Sequence, residues 1–301
     1  KTFVSSTLAF SQEEQHANHN YLQRSLLIAG GDTSIQINNI YPLMAYTFKT
    51  NKLSSYTAIN HKINKQHLIK FGYNADLFMM NMLDSALVNI DSAGVFFTRW
   101  NYQGASVLIQ PFIQWKWRIS DKTDFTAGIH SQYFSLSNSL SPAEPRVGIK
   151  HKMNGNQSIF AGAGMHSQAQ PLYTYVDNRK GIGNYFNKGM GFTKSVHSGL
   201  GYEKFFSQGF SVRTEAYYQY LYNIPVTIVP SAFSMINMGS GFTRIFADSL
   251  TNSGTGYNYG LELTVQKYFD KSFFFLFSGT LYDSKYTGSD GILRNTSYNG
   301  K

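Results

Sequence analysis

Four polar side chains fall in two i, i+2 pairs, His130 with Gln132 and His166 with Gln168. Each pair closes a segment with apolar residues at alternate positions, Phe125, Ala127, Ile129 and Tyr133 for the first and Ile159, Ala161, Ala163 and Met165 for the second. An extended chain therefore projects all four polar side chains from the opposite face. Imidazole and amide groups placed this way suit two kinds of chemistry: lining a ligand path, or binding a metal through imidazole nitrogen. A metal site needs two or three converging ligands with supporting partners of their own. The plainer reading is polar residues bonded to water or to another protein segment, and no metal site is expected. Catalysis has less to stand on. The eight His and many Ser make some proximity inevitable, but there is no G-x-S-x-G, no H-E-x-x-H and no P-loop. Neither an enzyme nor a cofactor is implied.

A second constellation is the segment PLYTYVDNRKGIGNYFNKGMGF, residues 171–192. It sets Tyr173, Tyr175, Tyr185 and Phe186 among Asp177, Arg179 and Lys180. Aromatic rings with fixed polar neighbours make contact surfaces for sugars, peptides or siderophores; a solvated connection is the plainer alternative. DSLTNSGTG (248–256) carries Asp and Asn without the spacing of a calcium loop. Arg146, Lys150, Lys152, Arg213, Glu215 and Glu262 share the parity of the His/Gln set within their own segments.

The elements that must position these groups are strands. In VLIQPFIQWKWRIS (107–120), Val107, Ile109, Pro111, Ile113, Trp115, Trp117 and Ile119 alternate with Gln110, Gln114, Lys116, Arg118 and Ser120. Similar alternation runs through 66–79, 125–133, 146–153, 158–168, 211–222 and 257–266. No segment shows a convincing 3.6-residue period, so the chain reads as all-β. INKQ (63–66), SDKTD (120–124), MNGNQ (153–157), FSQGF (206–210) and FDKSF (269–273) are short polar hairpin turns. The links between hairpins are long, roughly 81–104, 136–144, 168–193, 225–255 and 286–301. Tight turns at one end and long loops at the other is the arrangement of a bacterial outer-membrane barrel, with short periplasmic turns and long extracellular loops. Trp115, Trp117, Phe206 and Phe269 stand beside the tight turns, where an aromatic girdle meets the headgroups.

Strands of ten to fifteen residues exceed the nine to eleven that cross a hydrocarbon layer when tilted. Lipid offers no hydrogen bonds, so such strands must close into a transmembrane antiparallel barrel. Five hairpins plus one or two strands before residue 50 (2–10 and 21–28) give about eleven or twelve strands. Residues 1–301 are therefore expected to be part of one barrel domain, with more strands to follow. On this reading Arg146, Lys150, Arg213, Glu215 and Glu262 face the lumen or a plug. Pro111 falls on the lipid-facing set, where a bulge or kink is expected because it donates no ladder hydrogen bond.

Composition agrees. Charged residues are only 14 % and aromatic residues 16 % of the chain, against about a quarter charged in ordinary soluble domains. No apolar run reaches the roughly 18 residues of a spanning helix, and KTFVSSTLAF does not read as a signal peptide. The net charge of +9 is scattered singly, so nucleic acid is not a partner. Cysteine is absent, which removes disulfides and thiolate metal sites.

Three stretches carry a family resemblance. Residues 256–301 contain G-x-N-Y-G-x-E-L-T, L-Y-D-S-K-Y-x-G-S-D-G and R-N-T-x-x-N-G; residues 144–175 contain P-R-x-G-I-K and H-S-Q-x-Q-P-L; residues 215–226 read EAYYQYLYNIPV. Together these resemble the barrel of TonB-dependent outer-membrane receptors, particularly the Bacteroidetes type. The resemblance implies an outer-membrane location, about 22 strands in the complete barrel, and TonB-coupled uptake of a nutrient or metal chelate. It also implies as partners the lipid, the protein's own plug domain and the TonB complex. The plug, the TonB-contact segment and the last barrel strands are not found in these residues. Two other readings stay open: a passive porin-like channel, and a surface adhesin or scaffold with surface or periplasmic protein partners.

Overall fold

The computed structural model describes residues 1–88, 95–181, 183–206, 209–238, 245, 247–270 and 272–300. Twelve strands form one sheet in sequence order: β1 (Thr2–Ala29), β2 (Asp32–Lys62), β3 (His67–Val88), β4 (Val95–Ser120), β5 (Thr123–Phe134), β6 (Ser139–Met153), β7 (Gln157–Gln168), β8 (Thr193–Phe206), β9 (Phe210–Thr227), β10 (Leu250–Asp270), β11 (Phe273–Thr287) and β12 (Leu293–Asn295). Every neighbouring pair is antiparallel. One helical turn, α1 (Leu172–Tyr175), interrupts the β8 approach.

Register sorts the side chains into two faces. Lys116, Thr126, Gly148, Gly162, Gly199, Tyr217, Gly260 and Tyr282 lie in one row across β4–β11, and the polar residues of each strand share that face. The other face carries Phe71, Ile109, Ile113, Ile129, Val147, Ile159, Leu200, Leu261 and Leu281, all exposed. An apolar surface of this extent far exceeds the few hundred Å² that soluble monomers tolerate, and lipid is the solvent that suits it. Because each strand bonds to the next, the backbone N–H and C=O groups of the interior strands are satisfied without water.

The apolar core lies on the polar face, at the end away from the tight turns. Phe48, Met80, Met82, Trp100 and Phe134 from strands pack against Tyr175, Val176, Met190, Phe192 and Ala247 from the long connections. The described residues of the connections between β7 and β8 and between β9 and β10 therefore fold inward over the sheet. Each fully buried aliphatic or aromatic side chain there contributes about 1.5–3 kcal/mol.

Several boundaries differ from those expected. β1 and β2 are far longer than two short strands before residue 50, and a two-residue Gly30–Gly31 turn joins them. Both glycines have positive φ, +65° and +88°, the backbone that a type I′ hairpin requires. The expected loop at 81–104 is largely strand, since β3 runs to Val88 and β4 starts at Val95. The loop at 136–144 shrinks to the four residues 135–138. β9 and β10 likewise invade the expected loop at 225–255, and β11 reaches Thr287. Beyond the bilayer a strand needs no apolar alternation, so the pattern fades before the strand ends. At Pro111 no bulge forms: Tyr73 faces it in unbroken register on β3. Toward β5 the ladder steps from Ile109–Tyr133 to Phe112–His130 without a register shift, so the missing donor is absorbed there.

Candidate functional site

The inner face is organised around a carboxylate. Glu144, on β6, is almost fully buried, and such a charge persists only with partners. Gln132 Nε2 donates to its Oε1 at 2.9 Å. His130 Nδ1 lies 2.8 Å from Oε2, and Arg146 Nη2 lies 3.4 Å from the same atom. The network continues sideways: Gln110 donates to Gln132 at 3.2 Å, and Asn74 donates to Gln110 at 3.0 Å. A hydrogen-bonded belt thus crosses from β3 to β6, each member polarising the next. His166 stacks on His197 of β8 with ring centroids 4.4 Å apart. A cavity of about 380 Å³ opens beside this belt, lined by Phe112, Gln114, Gly128, His130 and Arg146.

Nearer the tight turns the face is ion-paired. Lys116 and Arg118 flank Asp124 at 3.5 and 3.8 Å, and Lys150 lies 3.0 Å from Glu203. Arg213 meets Glu215 at 2.9 Å and lies 4.6 Å above the Phe160 ring. Glu215 and Glu262 oppose one another across β9 and β10, a like-charge pairing that costs stability on its own. Arg146, Lys150, Arg213, Glu215 and Glu262 thus all lie on the polar face. Among the described residues no three His, Cys, Asp or Glu side chains are grouped to hold a metal ion.

The two long connections roof the far end of this face and are pinned to each other. Arg179 chelates Asp177, with Nη2 at 2.7 Å from Oδ2, and also donates to the Ala247 carbonyl. Lys180 reaches Asp248 at 2.7 Å. Asn187 accepts from the Leu250 N–H at 2.9 Å, and Asn252 accepts from Gly191 at 2.8 Å. Trp100 Nε1 donates to the Tyr173 carbonyl at 2.8 Å. The Lys180 ammonium holds the Asp248 carboxyl below the usual carboxylate range, whereas burial pushes the Tyr175 phenol up to about 12.

These contacts divide the expected contact residues. Tyr175 is fully buried; its hydroxyl accepts from the Gln170 N–H at 3.0 Å, so it braces the roof instead of facing a ligand. Tyr173 packs on Phe48 and Trp100, and Arg179 is committed to Asp177. Tyr185 remains half-exposed and donates to the Asn101 carbonyl at 3.4 Å. Phe186 lies under Lys180 at 4.9 Å. Gln168 is exposed and lines a cavity of about 240 Å³ with Gln170, Thr193 and Leu221. Glu144 and His197 were not singled out from the sequence; their parity places them on the polar face, but only strand register joins them to His130 and His166.

At the tight-turn end, Trp115 and Trp117 stack at 5.6 Å on the apolar face. His67 stacks on both and accepts from Trp115 Nε1 at 3.1 Å. Phe206 packs on Phe210 at 5.4 Å, and Phe269 on Phe274 at 6.4 Å.

Comparison with known proteins agrees with this architecture. The family model for the TonB dependent receptor-like beta-barrel matches residues 3–301. No curated protein sequence matches. Among solved structures, the outer membrane transporter YddB from Escherichia coli superposes with a TM-score of 0.63 at 10 % identity, over 99 % of this chain and 44 % of that one. The ferripyoverdine receptor of Pseudomonas aeruginosa gives 0.60 at 10 % identity, over 97 % and 39 %. The siderophore receptor PiuA from Acinetobacter baumannii gives 0.59 at 12 % identity, over 99 % and 48 %. The chain spans less than half the length of each.

Proposed function

Since this chain belongs to the family of TonB-dependent receptor β-barrels of the bacterial outer membrane, whose members are receptors and transporters and not enzymes, we propose that it forms part of a barrel for energy-coupled uptake of a nutrient or metal chelate. One observation carries the reading: a charged and hydrogen-bonded inner face roofed by two connections already pinned to each other. A passive pore gains nothing from such a roof, whereas a receptor needs a preformed surface that captures ligand before the inner face opens to it. Two of the superposed proteins are receptors for siderophores or their iron complexes, so ferric siderophores head the substrates to test.

In this reading, residues 1–301 are part of one barrel domain, completed by further strands and by a plug. The plug lies against Arg146, Lys150, Arg213, Glu215 and Glu262. Ligand contact falls to His130, His166, Gln168, Tyr185 and Phe186, while Tyr173, Tyr175 and Arg179 hold the roof. Trp115, Trp117, Phe206 and Phe269 anchor the periplasmic interface. TonB supplies the energy, and the Bacteroidetes-type motifs at 144–175 and 256–301 mark the subfamily.

The test uses the full-length protein expressed in cells with and without functional TonB. Uptake of a panel of labelled ferric siderophores, saturable and abolished without TonB, is expected, together with almost no current in planar bilayers. TonB-independent flux with open-channel conductance overturns the reading in favour of a passive pore.

A further inference from the structure

β3 reaches β2 only as far as Met44–Ala86, so residues 20–29 and 32–43 stand beyond the sheet as a two-stranded ribbon. Its two faces differ. One carries Leu22, Leu26, Ile28, Ile35, Ile37 and Ile40, each between 48 and 75 % exposed, with Arg24 as its sole charge. The other is finished in itself. Tyr21 stacks on Tyr41 at 5.7 Å, Tyr41 donates to Gln23 at 3.0 Å, and Ser25 donates to Asn38 at 3.2 Å; Leu27 is its one large aliphatic residue. A lone two-stranded ribbon is marginal in water, so six bare aliphatic side chains on one side call for a cover.

Lipid does not supply it. The aliphatic residues share the face of β1 and β2 that carries Val4, Leu8, Phe10 and Leu53, but a polar interval separates the two sets. Gln12, Glu14, His16, Asn18 and Asn20 occupy that face, with an exposed Glu14 ion-paired at 3.8 Å to a half-buried Lys49. Leu22 lies twelve residues beyond Phe10, roughly 40 Å along the strand at about 3.4 Å per residue. At a tilt of about 45° that is roughly 28 Å of height, nearly a second hydrocarbon thickness. The cover is therefore protein.

We propose that it is the same ribbon of a second copy of this chain, packed face to face about a two-fold axis parallel to the membrane normal. Copies in one membrane share that normal, and a two-fold along it brings identical outward faces opposite each other. Strands of the same barrel meet β1 at its edge or from the inner side, not on this face. Six aliphatic side chains at these exposures offer roughly 600 Å² per copy, close to the approximately 800 Å² per partner of a standard interface. The two Arg24 side chains must stay apart, which puts the axis nearer Leu26 and Ile35.

The chain has no cysteine, which makes the test clean. Leu26→Cys and, on the opposite face, Gln36→Cys are introduced into the full-length protein in an otherwise cysteine-free background and oxidised in intact outer membranes. L26C is expected to give a disulfide-linked species of twice the protein's mass, and Q36C none. A linked species of any other mass assigns the surface to a different partner and overturns the proposal. So does equal linking by Q36C, or an L26C thiol that stays monomeric and open to maleimide. As a second measurement, Ile35→Asp combined with Ile37→Asp should convert a detergent-solubilised dimer to monomer while heat-modifiable gel mobility shows the barrel intact. A sedimentation profile unchanged by that double substitution also overturns it.

Discussion

Adjacent residues at the middle of β4 should differ sharply in their tolerance of charge. The outward set on that strand runs from Val107 to Ile119, roughly 41 Å at about 3.4 Å per residue and roughly 29 Å of height at about 45° tilt, which matches the approximately 30 Å hydrocarbon core. Ile113 is its midpoint and is half-exposed on the apolar face. Ile113→Arg therefore places a guanidinium near the bilayer centre, at a cost of about 2–4 kcal/mol. Gln114→Arg puts the same group on the polar face, beside the open cavity. Its main penalty is the facing Lys70 on β3, a like-charge cross-strand contact costing roughly 0.2–1 kcal/mol. The two variants of the full-length protein should separate by more than about 1 kcal/mol, a factor of about five or more in the folding equilibrium. Urea titration in lipid vesicles, scored by heat-modifiable gel mobility, measures the difference. Equal stabilities, or a greater loss for Q114R, would falsify the assignment of the two faces and the membrane position with it.

Trp100→Ala should cost about 3–5 kcal/mol, because it empties a fully buried site and removes the hydrogen bond to the Tyr173 carbonyl; limited proteolysis should then cut within 171–192 first. Asp177→Asn breaks a buried pair and leaves Arg179 without its carboxylate, a loss of about 3 kcal/mol, read as faster amide exchange across residues 177–191 with the tight turns unchanged. The Lys180–Asp248 contact sets a pH dependence whose sign follows from the lowered carboxyl. A depressed folded value stabilises the roof above the ordinary carboxylate range, and that contribution disappears as the pH falls through the lowered value. Asp248→Asn should abolish the acid-side increase in exchange at 245–250; an unchanged profile refutes the contact.

Much of the membrane-embedded part was legible residue by residue. Parity along 107–120 separated Ile113 from Gln114, and the polar clusters at 120–124 and 153–157 marked turns, because alternation and turn chemistry are local properties of a chain in lipid. Gln12 to Asn20 and residues 81–104 lack that alternation; outside the bilayer the environment no longer imposes it, so β1 and β3 ran past their expected ends. Tyr175 and Arg179 had the composition of a ligand surface, yet Tyr175 is bound to Gln170 and Arg179 to Asp177 and Ala247. The sequence by itself determined which side of each strand meets lipid, since that depends on period two alone. Only tertiary structure decided that Glu144 gathers His130, Gln132 and Arg146, that His166 meets His197, and that two connections close inward as a roof. Each of these depends on pairing between strands or loops that no local pattern encodes.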